Sequence, residues 1–256
     1  MSGIGLVVAL PRELPRGFVR IETGESLKPP TFTVYRHMTV GARLVAVQAG
    51  VGHTRAAEGA RQLVRRFSPQ ILVSFGFAGG LAPQLGRGTL VIGTALVPEN
   101  SPLAVAVADQ RLIARFLAVM QAEGISVHRG TIVTTQHPVA DTASKSALRA
   151  KSGACAVDME TAAIVEVAGE AGLPWMALRA IIDSAKDALP MACLQALRDD
   201  GDVAVGALLR TVLRSPHLLG YFLRLAGDTA AARRHLSRAF ERWANSQAVD
   251  DDLGPW

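Results

Sequence analysis

Cysteine is scarce in this chain. Only Cys155 and Cys193 occur in 256 residues, too few for a disulfide framework, and no Cys/His spacing of the zinc-binding kind accompanies them. Long apolar runs are absent too: none approaches the ~20 residues that a membrane-spanning helix needs. The opening stretch MSGIGLVVALPREL has no basic leader and is apolar for too short a length to read as a signal peptide. There is no internal repeat and no low-complexity linker. Charged residues make up 19% against 49% hydrophobic, so a sizeable core can form and most of the chain is expected to be ordered. These absences point to the reducing cytoplasm, with the inner face of the cytoplasmic membrane as the second location to consider.

What is present begins with alternation. Short apolar and β-branched runs at residues 4–9, 31–37, 44–48, 71–75, 89–96, 130–135, 154–158 and 175–182 alternate with helical patterns at 54–67, 109–123, 142–151 and 160–172. Several of these strands are apolar on both faces, as expected where helices cover both sides of a sheet. The stretch AGEAGLPW reads as a helix end, a glycine stop and a proline before the next strand. The fold expected is α/β, a three-layer αβα sandwich around a central mixed β-sheet. Beyond about residue 188 the pattern becomes purely helical, with helices expected over 203–213 and 217–243. The expected division is a domain over 1–200, a helical C-terminal extension over 201–246 and a flexible tail over 247–256.

In open α/β sheets ligands collect beyond the carboxyl ends of strands, and two glycine-rich stretches fall there. SFGFAGGLAPQLGRG (74–88) lacks the G-x-G-x-x-G spacing, and Pro83, Gly86 and Gly88 forbid the helix that must follow a dinucleotide loop. Gly76, Gly79 and Gly80 read instead as a tight turn that brings the backbone close to a ligand, with a purely structural turn equally open. In QAGVGHTRAAEGA (48–60), Gly50 and Gly52 end a strand and Thr54 is a candidate cap for the next helix. Free backbone N–H groups there would suit an anion such as phosphate.

The carboxylates raise the functional question. In AVDMETAAI, Asp158 and Glu160 bracket Met159, and in LRAIIDSA, Asp183 ends an apolar run. Taken singly, Glu160 reads equally well as favourable charge in a helix's first turn, and Asp183 as a turn cap. Taken in order, SFGFAGGLAP, AVDMETAAI and LRAIIDSA resemble the purine nucleoside phosphorylase and methylthioadenosine/adenosylhomocysteine nucleosidase superfamily over residues 3–185. GIGLVVALPREL fits that family's first strand, with Glu13 at the position of an acid that follows it.

The resemblance implies cleavage of a purine N-glycosidic bond through an oxocarbenium-like cation. Asp183 would protonate or hydrogen-bond N7 as a general acid, with a pKa raised by its buried strand end. Glu160 would grip the ribose hydroxyls, Met159 would pack on the ribose, and Glu13 with Arg179 would handle the nucleophile. Phe77, Ala78, Gly79 and Val51 would line the substrate site, His137 and Pro138 in TTQHPVA the base, and Gly50 with Gly52 the phosphate or water. Asp158 reads as structural. No metal or organic cofactor is implied, and phosphate stays open as a co-substrate. Phe77 stands where the nucleosidases carry a small hydroxyl residue, Ile182 precedes Asp183 where they usually carry serine, and 134–140 lacks their base-stacking aromatic. These departures make the pocket more apolar and leave the sugar chemistry intact.

Much of the net charge of +5 lies beyond residue 205. There Leu218, Phe222, Leu225, Thr229, Ala232, Leu236, Ala239 and Trp243 recur at spacings of three and four, a single helical stripe. Arg224, Arg233, Arg234, Arg238 and Arg242 form its basic remainder. Packing on its own domain or a partner subunit is the first reading; an interfacial membrane helix anchored by Phe222 and Trp243 is the second. Nucleic acid is not expected, since no binding motif accompanies the arginines. This tail, after DSAKDALPMACLQAL, resembles the hopanoid-biosynthesis-associated phosphorylases, which implies adenosylhopane, a lipid-linked 5′-substituted adenosine, as substrate. The superfamily also implies a homo-oligomer, a dimer being favoured. Two alternatives stand beside this: an enzyme of soluble purine nucleosides, and a catalytically inactive membrane-attached binding protein.

Overall fold

A strand such as ILVSF at 71–75 has no polar face to give to solvent, so it must be covered on both sides. In the computed structural model it is, with every one of these five residues buried. The structure describes residues 3–21, 32–38, 43–100, 105–188 and 219–250. In chain order these form β1 (Gly3–Val8), a 3-10 turn (Pro11–Glu13), β2 (Phe18–Arg20), β3 (Thr33–His37), β4 (Arg43–Gln48), α1 (His53–Phe67) and β5 (Ile71–Gly80). Then follow β6 (Leu90–Pro98), β7 (Ala106–Val107), α2 (Gln110–Ala122), β8 (Val127–Thr134), α3 (Thr142–Ser152), β9 (Ala156–Asp158), α4 (Thr161–Glu170), β10 (Trp175–Asp183) and α5 (Leu219–Asp250). The short strands β2 and β7 add to the expected set, and the helix expected over 203–213 lies outside the described residues.

The sheet is mixed, as expected. Strand β1 lies between β4 and β5, parallel to both, while β3 and β2 extend that edge antiparallel. On the other side β5 pairs with β10, β10 with β6, β6 with β8, β8 with β9, and β9 returns to β5 at Gly79 and Gly80. Five strands therefore close into a ring. Closure brings the carboxyl ends of β5, β9 and β10 together, which positions the acids that sequence alone leaves scattered. Helix α1 packs on α4, and α2 packs on α5. Helix α2 starts where Asp109 accepts from the Leu112 N–H, and α3 where Asp141 accepts from that of Ser144, each side chain satisfying one orphan donor of a helix start.

Two expectations are corrected here. The glycines of SFGFAGG do not form a turn: β5 runs through them to Gly80, and none of the three has a positive φ. Thr54 does not cap α1, which begins at His53 behind Gly52 with no side-chain cap. Gly50 and Gly52, at φ 91° and 97°, do make the turn expected of them, in a region that only glycine enters without strain.

The C-terminal stripe packs on its own domain. Ala232, Leu236, Ala239 and Trp243 are buried, and Phe240 meets Phe75 of β5 edge-on at 5.2 Å. Trp243 is 0% exposed and lies 6.1 Å from the Phe116 ring of α2, so it is not available as a membrane anchor. The Leu218, Phe222 and Leu225 side chains lie outside the described residues. Among the described residues no helix is long and apolar enough to cross a membrane. Helix α5 reaches Asp250, past the point where a flexible tail was expected to begin. Trp243→Ala is expected to destabilise the fold by about 3–5 kcal/mol. Urea denaturation would show it as a lower midpoint at unchanged slope; a shift within error would mean that α5 contributes little to the core.

Candidate active site

The site is built from the loop after β1. Leu10 is extended, and the Pro11–Glu13 turn folds the Glu13 side chain back under the end of β1. Its Oε2 accepts from the Ala9 and Leu10 N–H groups at 2.9 and 2.8 Å, and its Oε1 accepts from the Phe77 N–H at 3.0 Å. The glycines of β5 make room for this. A Cβ on Gly76 would sit 2.6 Å from Glu13 Oε1, closer than a carbon can approach. Burial raises the Glu13 carboxyl above its ordinary value, while the three N–H donors and the Arg179 charge pull the other way. A carboxylate so balanced is a stronger base than a solvated one.

Glu160 begins α4 but does not cap it; its carboxylate turns across the cleft instead. Oε1 accepts from the Gly52 N–H at 2.9 Å and Oε2 from the Met159 N–H at 3.3 Å. Burial first, then the Asp158 charge, push its pKa up to about 7. Gly50 donates its own N–H to the Ala9 carbonyl at 3.1 Å. Both glycine N–H groups expected to be free for phosphate thus already have protein acceptors, and the phosphate cradle read from sequence is not formed.

Glu13, Glu160, Arg179, Gly50, Phe75 and Ile164 line one small cleft. Arg179 is less free than a nucleophile-orienting role requires. Its Nη2 lies 2.7 Å from Asp158 Oδ2 and donates to Ser74 and Thr161 hydroxyls at 2.6 and 2.8 Å. Asp158 also takes the Thr134 hydroxyl at 2.7 Å and that of Thr161. These bonds give Asp158 a structural place, and what Arg179 adds to the cleft is positive charge near Glu13 and Glu160.

Asp183 approaches from the neighbouring strand. The register of β10 on β5 slips between Ile181 and Asp183, so Ile182 is an extra residue and Asp183 falls opposite Gly79. Such a bulge re-aims the side chain beside it. A Cβ at Gly79 would lie 3.3 Å from Asp183 Oδ2, so this glycine too gives room to an acid. Asp183 is buried, and burial raises its pKa while the ammonium of Lys145 lowers it. Lys145 is bonded to Asp183 Oδ2. It escaped the sequence reading because a lone lysine in TASKSALRAKS looks solvated; the signal was its place three residues before Leu148, on the buried face of α3.

The remaining expected residues divide. Phe77 and Val51 are partly exposed, as are Met159 and Gly79, and Ala78 is buried. His137 and Pro138 are exposed in the loop between β8 and α3. No group of three or more His, Cys, Asp or Glu side chains among the described residues is arranged to hold a metal ion.

A family model described as Phosphorylase superfamily matches residues 3–214. A 5′-methylthioadenosine/S-adenosylhomocysteine nucleosidase from Anoxybacillus flavithermus is 32% identical over 161 residues, 57% of this chain and 69% of that one. Among solved structures, futalosine hydrolase of Helicobacter pylori superposes with a TM-score of 0.72 at 16% identity, covering 96% of this chain and 98% of that chain. The 5′-methylthioadenosine/S-adenosylhomocysteine nucleosidase of Neisseria meningitidis, solved with methylthio-immucillin-A, has the same TM-score at 20% identity, covering 96% and 100%. With a family model spanning most of its length and a curated relative matched across two thirds of its own, this chain belongs to the phosphorylase superfamily, as an enzyme of N-glycosidic bond cleavage.

Proposed function

We propose that the protein hydrolyses the N-glycosidic bond of a 5′-substituted adenosine and releases adenine. The observation that carries this reading is three acids set around β5: Glu13 buried beside Gly76, Asp183 buried beside Gly79, and the half-buried Glu160, which lines one cleft with Glu13. Glu13 accepts a proton from water at C1′. Glu160 holds the ribose hydroxyls, and its charge favours the cationic sugar. Asp183 delivers a proton to the departing base. Water is favoured over phosphate because the Gly50 and Gly52 N–H groups are already engaged.

The finer reading is a large apolar 5′ substituent, with adenosylhopane as the first candidate. It is supported by Phe77 and Ile182 where the nucleosidases carry polar residues, and by the resemblance of the C-terminal region to hopanoid-associated phosphorylases. Methylthioadenosine is the second candidate, favoured by the 32% identical nucleosidase. Adenine release from adenosylhopane in detergent, beside methylthioadenosine and adenosine, with and without phosphate, tests all of this. Release from the lipid nucleoside alone supports the finer reading; release only from the soluble nucleosides removes it. A rate that requires phosphate would overturn hydrolysis.

The pH profile follows from Glu160. Its carboxyl shifts from an ordinary value of 4.5 to about 7, so it is neutral below that and loses its hold on a cation. The kcat/KM profile should fall about tenfold per pH unit on the acid side of about 7, and Glu160→Gln should remove that limb along with most of the rate. Between the ordinary and the raised value the folded chain binds more protons than the unfolded one, so stability from this group falls as pH rises through that window. A limb near 4.5 would show that Glu160 is not held in this way.

A further inference from the structure

Lys145 is a charge that the chemistry above leaves unused, and its setting is unusual. Lysine is almost never fully buried unless paired, yet Lys145 is 0% exposed. Its three ammonium protons have three acceptors: Asp183 Oδ2, the Ser184 carbonyl at 2.9 Å and the Asp187 carbonyl at 2.9 Å. The turn that supplies the two carbonyls is itself tied, since Asp187 Oδ2 accepts from the Ser184 N–H at 2.8 Å and from Arg87 Nε at 3.0 Å. Arg87 in turn reaches Asp228 of α5 at 2.6 Å. The charges facing Asp183 are therefore Lys145 from α3, Asp187 from its own loop and Arg87 from the loop before β6, with Asp228 behind them. Among the described residues no donor reaches Asp183 Oδ1.

We infer that Lys145 is a positioning residue for leaving-group protonation: its ammonium holds Oδ2, so that Oδ1 is the atom that presents the proton to the base. The inference rests on the proposed cleavage and deepens it. As the bond from C1′ to the base nitrogen breaks, its electron pair goes to the base. The Oδ1–H bond of Asp183 breaks and a base N–H bond forms. The carboxylate left behind is met by a cation already in contact with it, which needs no reorganisation at the moment of transfer. Lys145 keeps all its protons throughout.

The test is a pair of substrates differing in their need for an acid. Methylthioadenosine leaves as a purine that must be protonated; a 4-nitrophenyl riboside leaves as a phenolate that needs no proton. Lys145→Met is expected to lower kcat on methylthioadenosine about 10²-fold and to change 4-nitrophenyl riboside cleavage no more than about threefold. With the cation gone, the Asp183 proton is held to higher pH, so the alkaline limb of kcat/KM should move to higher pH. Should the Met variant not fold, Lys145→Arg carries the test, because it keeps the buried charge paired but replaces a compact donor with a planar fork. A loss of about tenfold on the nucleoside alone is then expected. Equal losses on both substrates with an unmoved limb would overturn the role of Lys145 while leaving the cleavage reading intact. A wild-type protein that turns over neither of these substrates, nor adenosylhopane in detergent, would overturn both.

Discussion

Asp183→Asn is expected to lower adenine release from a purine nucleoside by about 10²–10⁴-fold, the usual contribution of a positioned general acid. Asparagine keeps the shape and an acceptor for Lys145 but has no proton to give at neutral pH. The loss should fall on kcat more than on KM, because the transfer develops only as the bond breaks. It should also cost stability. Lys145 and Asp183 form an ion pair with both side chains almost fully enclosed, and removing one partner of such a pair typically costs about 3–5 kcal/mol. The variant is therefore best assayed at low temperature, with its folded fraction checked by circular dichroism. A rate within a few-fold of wild type would remove Asp183 from the chemistry and leave it as the anchor of a buried lysine.

Glu13→Gln should reduce turnover by a similar factor, about 10²–10⁴-fold, for a different reason. The carboxylate is surrounded by donors: two N–H groups on Oε2 and one on Oε1. An amide cannot satisfy all three, because its NH₂ must point at a donor whichever way it is turned. At least one buried N–H loses its acceptor, at about 1–3 kcal/mol, and the loop of residues 9–13 should shift away from β5. Hydrogen exchange at Ala9, Leu10 and Phe77 would report that shift, and steady-state kinetics the loss of rate. Unchanged exchange with a large kinetic loss would mean that Glu13 acts on the nucleophile alone. Unchanged kinetics would move the base elsewhere in the cleft.

The main elements of the fold were legible because burial on both faces leaves a strong pattern. ILVSF and LRAII carry no polar face to give to solvent, and AGEAGLPW ends a helix at Gly172, which takes the positive φ that its reading as a stop requires. Strands β2 and β7 were not legible, since three or two residues carry no period. The glycines of SFGFAGG were misread for a related reason. Local sequence offers only the backbone freedom of glycine, whereas here the space beside it decides, with Glu13 and Asp183 occupying what a Cβ would fill.

The sequence by itself determined the α/β class, the order of the motifs, and which acids end apolar runs, because those properties depend on neighbours a few residues away. Which acids meet, and in what state, was decided only by the tertiary structure. Glu13 and Phe77 are 64 residues apart, Gly52 and Glu160 are 108, and Lys145 and Asp183 are 38. The ring of β5, β10, β6, β8 and β9, with its extra residue at Ile182, sets those contacts. A carboxyl's proton affinity depends on the charges and solvent within a few ångströms, and chain closure brings those neighbours from distant parts of the sequence.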